Sequence, residues 1–582
     1  MIRKITGKNV SHNLHHLKNS SGELITNKED IANSLGQSVE RNSSSTNYSH
    51  EFQRIKASQE KKKLNFSTNK FIKYNKKFTL RDLKRSIRKS NNSSFGPDQI
   101  HYEILRHLPD RTLVFLLDII NEIWKDGTFP ESWKSALILA IPKPGKDHYD
   151  PNNYRPIALT SCICKTVERM VNERLIWYLE KNKLINKNQC GFRANRSTMD
   201  HLVRMESFIR NAFINQEHLV AVFFDLQKAY DTTWKYGIMK DMHKLGLRGC
   251  LPIFIQNFLD DRSFQILFGC TLSDVFQQEE GVPQGAILST TLFSIKINNI
   301  TQALASGTEC SLYVDDFVII YRSKSVIEIE RKLQMTINKL QDWTLQNGFT
   351  ISQSKTVAMH FWQRKWQPDH ELKIGSTPIK FVKEAKFLGL IWDSKLSFLP
   401  HIMYIKNKCK KALNLLRVLS HTEWGGDKET LLKLYRSLVR SKLDYGCIVY
   451  GSARKSYIER LDPIHNQGLR LCLGAFRTTP VKSLYVEANE PPLWYRREKL
   501  TMQYAIKLKA NPGNPAYSVV FHPMYKYKFL AKPREIPPFG LRAAHLLSDA
   551  GIDTSNILLN QIPDRPVWDA PEPEINHCPH YI

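Results

Sequence analysis

The segment Ser311-Leu-Tyr-Val-Asp-Asp-Phe-Val-Ile-Ile320 decides the fold of this chain. Two apolar runs flank a pair of adjacent carboxylates, Asp315 and Asp316, and this pattern predicts a β-hairpin with an acidic turn. Neighbouring carboxylates repel each other, and a divalent cation compensates them most easily. Aspartate is also common in ordinary tight turns, where it bonds its own backbone. The hairpin alone therefore leaves both a metal site and a plain turn open.

A third carboxylate follows an apolar strand upstream of the hairpin. In Leu219-Val-Ala-Val-Phe-Phe-Asp-Leu-Gln-Lys-Ala-Tyr-Asp231 the run 219–224 predicts a buried strand that ends on Asp225. Three aspartates can hold two Mg²⁺ ions, and two ions about 3.5–4 Å apart stabilise the attacking and leaving oxygens of an in-line displacement. Asp225, Asp315 and Asp316 therefore predict a two-metal nucleic-acid polymerase site, for which Mn²⁺ is also acceptable.

These two motifs resemble those of the reverse transcriptases of non-LTR retrotransposons, most of all the jockey-like branch. The resemblance implies that Asp225, Asp315 and Asp316 are the catalytic metal ligands. It also implies that Tyr230 lies under the incoming sugar and excludes a 2′-hydroxyl, although a packed core aromatic is the alternative. Asp231 is interpreted as a structural residue. The implied fold is an α+β right-hand polymerase with a ferredoxin-like antiparallel palm sheet, mixed fingers and a helical thumb.

Two further segments resemble family motifs that lie close to the reaction. Gly281-Val-Pro-Gln-Gly-Ala-Ile-Leu288 is a Gly/Pro turn leading into an amphipathic helix, and the resemblance places Gln284 and Gly285 against the nascent base pair and the template. Gly348-Phe-Thr-Ile-Ser-Gln-Ser-Lys-Thr356 resembles the segment whose lysine, here Lys355, approaches the departing pyrophosphate. A lysine in that position acts as a general acid or stabilises the developing charge.

Two basic turns are candidates for binding the incoming nucleotide. They are Ile141-Pro-Lys-Pro-Gly-Lys-Asp147 and Asn152-Asn-Tyr-Arg-Pro-Ile157. The resemblance places Lys143 and Arg155 on the triphosphate, which suits the mobile charge of lysine and the bidentate guanidinium of arginine. A solvated basic loop is the alternative.

Two more segments follow the order of the family. Asn188-Gln-Cys-Gly-Phe-Arg-Ala-Asn-Arg-Ser-Thr-Met-Asp200 would lie between fingers and palm, with Arg193 and Arg196 directed to the template backbone. Ala385-Lys-Phe-Leu-Gly-Leu-Ile-Trp-Asp393 resembles the primer-grip hairpin. The resemblance covers roughly residues 80–540.

Changes in polarity along the chain, taken together with what the resemblance implies, predict five segments. They are a mostly disordered polar linker with one short helix (1–78), a helical extension of the fingers (79–136), fingers and palm (137–395), a basic helical thumb (396–510) and a loop-rich tail (511–582). In the thumb, one helix carries the cations Lys406, Lys408, Lys410, Lys411 and Arg417, which suit a sequence-independent grip on duplex phosphates. His577, Cys578 and His580 in the tail lack the spacing of a four-ligand metal site.

The composition indicates a polyanionic partner. The 582-residue chain has 84 Lys and Arg against 56 Asp and Glu, a net charge of +28, and neutralising phosphates releases counterions. A membrane surface would also attract this charge, but no stretch approaches the roughly 20 apolar residues of a spanning helix. The cysteines lack paired spacing, and we expect a reduced intracellular protein of the cytoplasm and nucleus.

The expected function is RNA-directed DNA synthesis, with an RNA template, a DNA primer, deoxynucleotides and Mg²⁺ as partners. Full elements of the family carry an endonuclease before the polymerase, and some carry a ribonuclease H after it. Residues 1–77 are too short and polar for the first, and the acids after residue 540 lack the strand contexts of the second. A polymerase fragment without both nucleases is therefore expected. A catalytically silent RNA-binding remnant is the alternative, and a maturase-like splicing cofactor would need an added RNA-binding domain.

Overall fold

The computed structural model describes residues 16–18, 22–364, 371–421, 423–563 and 566–569, so His577, Cys578 and His580 lie outside it. Its strands are β1 (Leu17–Lys18), β2 (Leu24–Ile25), β3 (Ser135–Pro142), β4 (Tyr154–Leu159), β5 (His218–Phe224), β6 (Arg262–Phe268), β7 (Thr271–Leu272), β8 (Phe276–Gln278), β9 (Glu309–Tyr313), β10 (Asp316–Ser323), β11 (Val357–Phe361), β12 (Lys373–Ile374), β13 (Thr377–Pro378), β14 (Lys380–Phe381), β15 (Glu384–Phe387) and β16 (Leu390–Asp393).

The helices fall between the strands in the first half of the chain and follow one another in the second. They are α1 (Lys28–Ser43), α2 (His50–Glu60), α3 (Leu80–Arg88), α4 (Tyr102–Arg106), α5 (Asp110–Asp126), α6 (Glu131–Lys134), α7 (Cys162–Lys181), α8 (Thr198–Ile214), α9 (Lys235–Lys244), α10 (Cys250–Leu259), α11 (Ile287–Ile297), α12 (Val326–Asn347), α13 (Leu399–Leu419), α14 (Lys428–Tyr435), α15 (Ser441–Asp444), α16 (Cys447–Tyr450), α17 (Lys455–Ile458), α18 (Asp462–Leu473), α19 (Val481–Ala488), α20 (Leu493–Lys509), α21 (Tyr517–Phe521), α22 (Lys526–Ala531) and α23 (Phe539–Asp549).

A central sheet of order β14-β11-β5-β10-β9 forms around β5, which is antiparallel to both of its neighbours. Successive side chains of a strand point to opposite faces, and both faces of β5 are covered. One face packs against α8 and the other against α11 and α12, through Leu219, Ala221 and Phe223 on the first and Val220, Val222 and Phe224 on the second. The continuous apolar run is therefore explained by burial on two sides. The sheet departs from the predicted antiparallel pattern at its edge, where β14 pairs parallel with β11.

The strongest sequence patterns are confirmed as elements. The predicted strand 219–224 is β5, and the predicted hairpin is formed by β9 and β10. Ser325-Val-Ile-Glu328 and Asn347-Gly348 also predict the two ends of a capped helix. In the structure α12 begins after Ser325, whose side chain accepts from the Glu328 backbone, and it ends at Gly348 in the left-handed conformation. Strong periodicity and matched caps make such elements predictable from local sequence.

A second sheet of order β4-β3-β6-β7, with β8 also paired to β6, lies under α1. The short helix expected near residues 28–38 is confirmed as α1, which continues to Ser43. The prediction of a mostly disordered linker over residues 1–78 is wrong for α2 and for the packing of α1 on this sheet. Ile31 and Leu35 are buried against this sheet, and Phe52 of α2 contacts Trp234 edge-on at 5.3 Å. The apolar positions are few, but Ile31, Leu35 and Phe52 are almost fully buried, which a count of hydrophobic residues does not register.

The second half of the chain shares one apolar core with the α8 face of the central sheet. The prediction of a loop-rich tail is wrong for residues 539–549, which form α23 with Phe539 and Ala543 buried. The Phe539 backbone donates to Glu206 of α8 at 3.0 Å, and Arg542 donates to the same carboxylate at 2.7 Å. Two prolines before α23 obscure this helix in the sequence, because proline also marks loops.

Two other expectations concern chemistry and environment. The cysteines within the described ranges are free thiols, in agreement with the expected reduced state. Among the described helices, none combines the length and apolarity that crossing a bilayer requires.

Replacing Arg542 with alanine is expected to lower the free energy of unfolding by about 1–3 kcal/mol, because the buried Glu206 carboxylate loses a charged donor and keeps only Arg210 and the Phe539 amide. Urea unfolding followed by circular dichroism measures this. The exposed Arg534→Ala is the matched control. Equal stability of the two variants would contradict the assigned role of the ion pair.

Candidate active site

The three predicted aspartates lie at neighbouring strand ends. Asp225 directly follows β5. Asp315 lies in the turn between β9 and β10, and Asp316 is the first residue of β10. Phe317 pairs with Phe224 across the two strands, so the next step of this antiparallel register places Asp316 beside Asp225. The central sheet therefore brings the three carboxylates to one edge, as the sequence predicts.

The hairpin turn has an unfavourable backbone conformation. Tyr313 pairs with Asp316, which leaves Val314 and Asp315 as a two-residue turn, and Val314 has a φ of 63°. Positive φ at the first central residue suits a type II′ turn, where glycine is usual, and it is strained for a β-branched residue. Such strain persists only where the surroundings enforce it.

The buried side chain of Gln189 holds this turn. Its Oε1 accepts from the Val314 backbone at 3.1 Å and from the Gly191 backbone at 2.9 Å, and its Nε2 donates to the Val314 carbonyl at 3.5 Å. The next residue, Cys190, donates its backbone N–H to Leu312 of β9. The segment containing Gln189 therefore acts as a support for the hairpin tip, a role that the sequence did not reveal.

The acidic edge is electrostatically unfavourable in the absence of a cation. Burial, with repulsion from Asp315 and Asp225, raises the pKa of Asp316 to about 6. Burial also raises the pKa of Asp315, and the charge of Asp225 adds to this effect. Proximity of like charges disfavours ionisation, so these shifts agree with the convergence of the three groups.

Lys355 supplies a positive charge at this edge. Its Nζ lies 2.9 Å from Asp225 Oδ2, and both side chains are partly exposed. The segment before it is fixed to the strand end, since the Ser352 amide donates to the Asp225 carbonyl at 2.8 Å. The resemblance implies that Lys355 lies near the departing pyrophosphate. In the structure its ammonium forms an ion pair with Asp225, which is a predicted metal ligand.

The donor set fits a hard divalent cation, because all three groups are carboxylates and two have pKa values raised by burial and uncompensated charge. In the part of the chain that the structure describes, no three His, Cys, Asp or Glu side chains are arranged together as metal ligands. Asp225 is instead paired with Lys355.

Tyr230 lies beside the acidic edge. Its ring stacks on Phe293 of α11 with centroids 4.5 Å apart and planes at 15°. Burial, with the charge of Asp315, raises its pKa. The ring therefore has a fixed orientation and stays a neutral phenol, which is consistent with both a sugar-contacting role and a packing role.

The Gly/Pro turn of residues 281–285 is in close contact with its surroundings. Gly281 has a φ of 82°, and a Cβ there would lie 2.4 Å from the Asp231 carbonyl oxygen. Gly285 has a φ of 124°, and its Cβ would lie 2.6 Å from the Ala158 carbonyl oxygen. Only glycine meets both demands at these positions, and the turn is thereby fitted between β4 and the loop after β5.

Gln284 in this turn is held by a carboxylate. Its side-chain Nε2 donates to Asp231 Oδ1 at 2.7 Å, and its backbone carbonyl accepts from the Ala158 amide. Asp231 thus positions Gln284, in agreement with its interpretation as a structural residue.

Four cations gather near the acidic edge. The pKa of Lys143 is lowered by burial and by the charges of Lys355, Lys228 and Arg155, and Asp231 opposes this shift. Lys355, Lys228 and Arg155 therefore lie within electrostatic reach of Lys143, and the predicted pair Lys143 and Arg155 is part of a larger group of cations.

Lys228 is a member of this cluster that the sequence analysis missed. It has a φ of 46° in the loop after β5, and its Nζ donates to Asn42 of α1 at 2.5 Å. Its position three residues after Asp225 was the available signal. Asn42 lies in the N-terminal region predicted to be a linker, so this contact could not be foreseen.

Arg193 and Arg196, which are predicted to face the template backbone, form hydrogen bonds with groups of the protein itself. Arg193 is nearly buried, binds Glu180 through two nitrogens and donates to the carbonyls of Asn186 and Gln189. Its guanidinium is therefore used within the protein rather than on a template. Arg196 donates to the carbonyl of Gly513 at 2.9 Å and to that of Lys187.

Replacing Asp316 with asparagine is expected to raise the melting temperature at pH 7.5 in metal-free buffer. A carboxyl group whose pKa rises on folding favours the folded state only while it is protonated, so this contribution is complete below about pH 4 and is lost as the pH rises past about 6. The gain should therefore shrink when melting is measured near pH 4. The exposed Asp118→Asn is the control, and a gain independent of pH would contradict the explanation.

Replacing Gln189 with alanine is expected to cost about 2–4 kcal/mol of unfolding free energy, since it leaves buried backbone groups unpaired and the Val314 conformation unsupported. The cost should be smaller in a Val314→Gly background, because glycine adopts positive φ without strain. A double-mutant cycle of denaturant unfolding measures the difference. Strict additivity would show that the two residues are not coupled.

Comparisons with known proteins agree with this geometry. Residues 141–392 match the family model described as reverse transcriptase (RNA-dependent DNA polymerase). The chain is 28% identical to the RNA-directed DNA polymerase from mobile element jockey of Drosophila melanogaster, over 75% of this chain and 48% of that protein. It is 29% identical to a probable RNA-directed DNA polymerase from transposon BS of the same fly, over 64% and 42% of the two chains.

A solved structure of apo telomerase from Candida tropicalis, truncated from its C-terminal domain, matches 48% of this chain and 59% of that chain, with 16% identity and a TM-score of 0.32. The chain spans about half the length of the curated relatives it matches. The acidic edge, the Gly/Pro turn and the basic turns all lie within the matched range or at its start. Residues 141–392 of this chain form a reverse transcriptase domain of mixed α/β structure, similar to those of the jockey-type mobile-element polymerases.

Proposed function

We propose that this chain synthesises DNA on an RNA template by adding deoxynucleotides to the 3′-hydroxyl of a primer. The observation that supports this most is the placement of Asp225, Asp315 and Asp316 at adjacent strand ends inside the reverse transcriptase domain. In this proposal the central sheet is the palm, the second sheet belongs to the fingers, and the helices within residues 396–510 are the thumb.

Asp225, Asp315 and Asp316 would hold two Mg²⁺ ions, or Mn²⁺ ions. The bound ions supply charge stabilisation for the attacking and leaving oxygens. Binding these ions requires ionised carboxylates. Because the pKa of Asp316 is raised, its ionised form needs a positive charge nearby to compensate it. The Lys355 ammonium, which now neutralises Asp225, would then be available to stabilise the departing pyrophosphate.

The cation cluster would bind the triphosphate. Lys143 and Arg155 come from the basic turns, and Lys228 adds a third charge from the loop that follows Asp225. Charge-assisted contacts to phosphate oxygens are stronger than neutral hydrogen bonds. Asn42 fixes the Lys228 side chain until it meets its ligand.

Tyr230, Gln284 and Gly285 would select the nucleotide. The stacked Tyr230 ring beside Asp315 offers a fixed surface against which a 2′-hydroxyl would collide. Asp231 and the Ala158 amide hold Gln284, and the lack of a side chain at Gly285 lets the turn lie against the Ala158 carbonyl, which fixes the turn beside the acidic edge. The net charge of +28 favours the RNA and DNA partners, and these partners place the protein in the cytoplasm and nucleus.

Asp315→Asn is expected to lower primer extension at least about 10³-fold, because a charged metal ligand is lost without a change in size. RNA binding should stay close to that of the native chain, and thermal stability should not fall, since one of the repelling carboxylates is removed. Incorporation of labelled deoxynucleotide on an RNA template with a DNA primer and Mg²⁺ measures this. Asp342→Asn, an exposed acid on α12, is the matched control and should retain activity.

Full activity in Asp315→Asn would refute the assignment of the acidic edge. If the native chain binds RNA but extends no primer, the result would favour the alternative of a catalytically silent RNA-binding protein. Extension by the native chain and the Asp342→Asn control alone would support the proposed polymerase.

A further inference from the structure

One buried carboxylate, Glu168 of α7, contacts the start of another helix. Its side chain is fully buried. Its Oε2 accepts from the backbone amides of Ile287 at 2.7 Å and Leu288 at 3.2 Å, which are the first two residues of α11. Its Oε1 accepts from the Cys164 thiol at 3.3 Å. Both carboxylate oxygens of Glu168 therefore bond groups inside the protein.

The helix α11 receives its N-terminal cap from this carboxylate. The residue before the helix is Ala286, whose methyl side chain cannot accept a hydrogen bond. The first backbone N–H groups of a helix have no partner within the helix, and a negative charge near them is favourable. Glu168 therefore supplies from α7 the acceptor that a serine or an aspartate at position 286 would usually supply.

The surroundings of Glu168 only partly compensate its charge. Burial raises the pKa of Glu168, and the Leu288 amide and the charge of Arg262 oppose this shift. Arg262 is itself buried, and its guanidinium donates to the Phe258 carbonyl at 3.0 Å. A buried charge is costly, and an apolar residue of similar size often serves stability equally well. The presence of Glu168 is therefore best explained by the segment that its two amide contacts hold in place.

That segment is the Gly/Pro turn of residues 281–285, which ends just before α11. The start of the turn is tied to the loop after β5, since the Val282 amide donates to the Tyr230 carbonyl at 2.9 Å. Its end is held by the bonds from Glu168 to the first turn of the helix. Gln284 lies between these two fixed points, so the position of its backbone depends on both of them.

The same helix also supports the tyrosine beside the acidic edge. Phe293, on which the Tyr230 ring stacks with centroids 4.5 Å apart, belongs to α11. Phe293 follows Ile287 by six residues, which is about 9 Å along a helix. A displacement of the start of α11 would therefore move the support of Tyr230 together with the backbone of Gln284.

We propose that Glu168 is a positioning residue for nucleotide selection, which keeps Gln284 and Tyr230 in place by capping α11 from α7. This inference rests on the proposed function, in which these two side chains contact the incoming nucleotide. Because Glu168 is buried, it acts through the helix and not on the nucleotide itself. Groups that support the contacting residues in this way determine how precisely a site is held.

The test is steady-state primer extension by the full chain on poly(rA) with an oligo(dT) primer, with dTTP and UTP varied separately. Glu168→Met keeps an unbranched side chain of similar length and removes both acceptor oxygens. We expect the KM for dTTP to rise about tenfold with kcat within about twofold of the native value, and the preference for dTTP over UTP to fall about tenfold. Glu168→Gln keeps one acceptor oxygen and should restore most of both quantities.

Glu206→Met is the matched control. Glu206 of α8 is also fully buried and accepts from the amide of Phe539, the first residue of α23, but α8 and α11 pack on opposite faces of the central sheet. This control should lower the melting temperature at least as much as Glu168→Met and keep the native KM and the native sugar preference. Both variants are assayed below their melting transitions.

A second substitution tests the cap directly. Ala286→Ser offers a local acceptor to the first turn of α11, so adding it to Glu168→Met should bring the KM for dTTP back to within about threefold of the native value. If Glu168→Met does not fold, Glu168→Asp gives the same comparison. Its carboxylate is one methylene shorter, and we expect its KM for dTTP to rise about threefold.

Kinetics of the Glu168 variants equal to those of the native chain would overturn the inference and leave the proposed polymerase standing. Equal losses of selection in Glu168→Met and Glu206→Met would also overturn it, because they would reflect stability alone. A native chain that extends no primer would instead refute the proposed function, and the role of Glu168 in nucleotide selection would fall with it.

Discussion

The contact between Gln189 and the Val314 turn is the constraint on which the acidic edge depends. A two-residue turn with a β-branched residue at positive φ is unfavourable by itself, yet it determines where Asp315 and Asp316 point. The Gln189 amide bonds both the N–H and the carbonyl of Val314 and so satisfies the backbone of the turn. Because Val314 is also buried, the hairpin tip combines apolar packing with a defined conformation rather than being a flexible acidic loop.

Around this fixed tip, charge is arranged in two opposing groups. The charges of Asp225 and Asp315 raise the pKa of Asp316 further than burial alone, while Lys143, Lys228, Arg155 and Lys355 gather a short distance away. The folded chain therefore keeps like charges together on both sides, at a cost in stability. Such an arrangement is favourable only when a cation and a polyanion are bound between them. The pairing of Lys355 with Asp225 reduces this cost in the free protein.

Elements were predictable from the sequence where the local pattern agrees with the tertiary structure. The apolar run of β5, the hairpin and the capped helix α12 follow from periodicity and caps, and their order gave the fold and the three aspartates. It was insufficient where a few residues act over long distances. Phe52 meets Trp234, Asn42 meets Lys228, and Arg542 meets Glu206, with no local signal for any of these pairs.

The direction of Arg193 shows the same limit. Its motif is recognisable in the sequence, but only the tertiary structure reveals that all three nitrogens of its guanidinium donate to Glu180 and to two backbone carbonyls instead of to a template. Basic residues in a recognised motif thus give the charge of a region more dependably than the partner of each side chain.

The link between α23 and Glu206 has a consequence for the modular nature of this protein. The recognised domain ends at residue 392, yet Glu206 within it is fully buried by residues 537–542, and the α8 face of its sheet is covered by helices from beyond residue 398. A piece cut at the recognised boundary would expose a broad apolar face and leave a carboxylate with a single cationic neighbour. The segment recognised by its sequence, residues 141–392, is therefore shorter than the segment that folds as one unit.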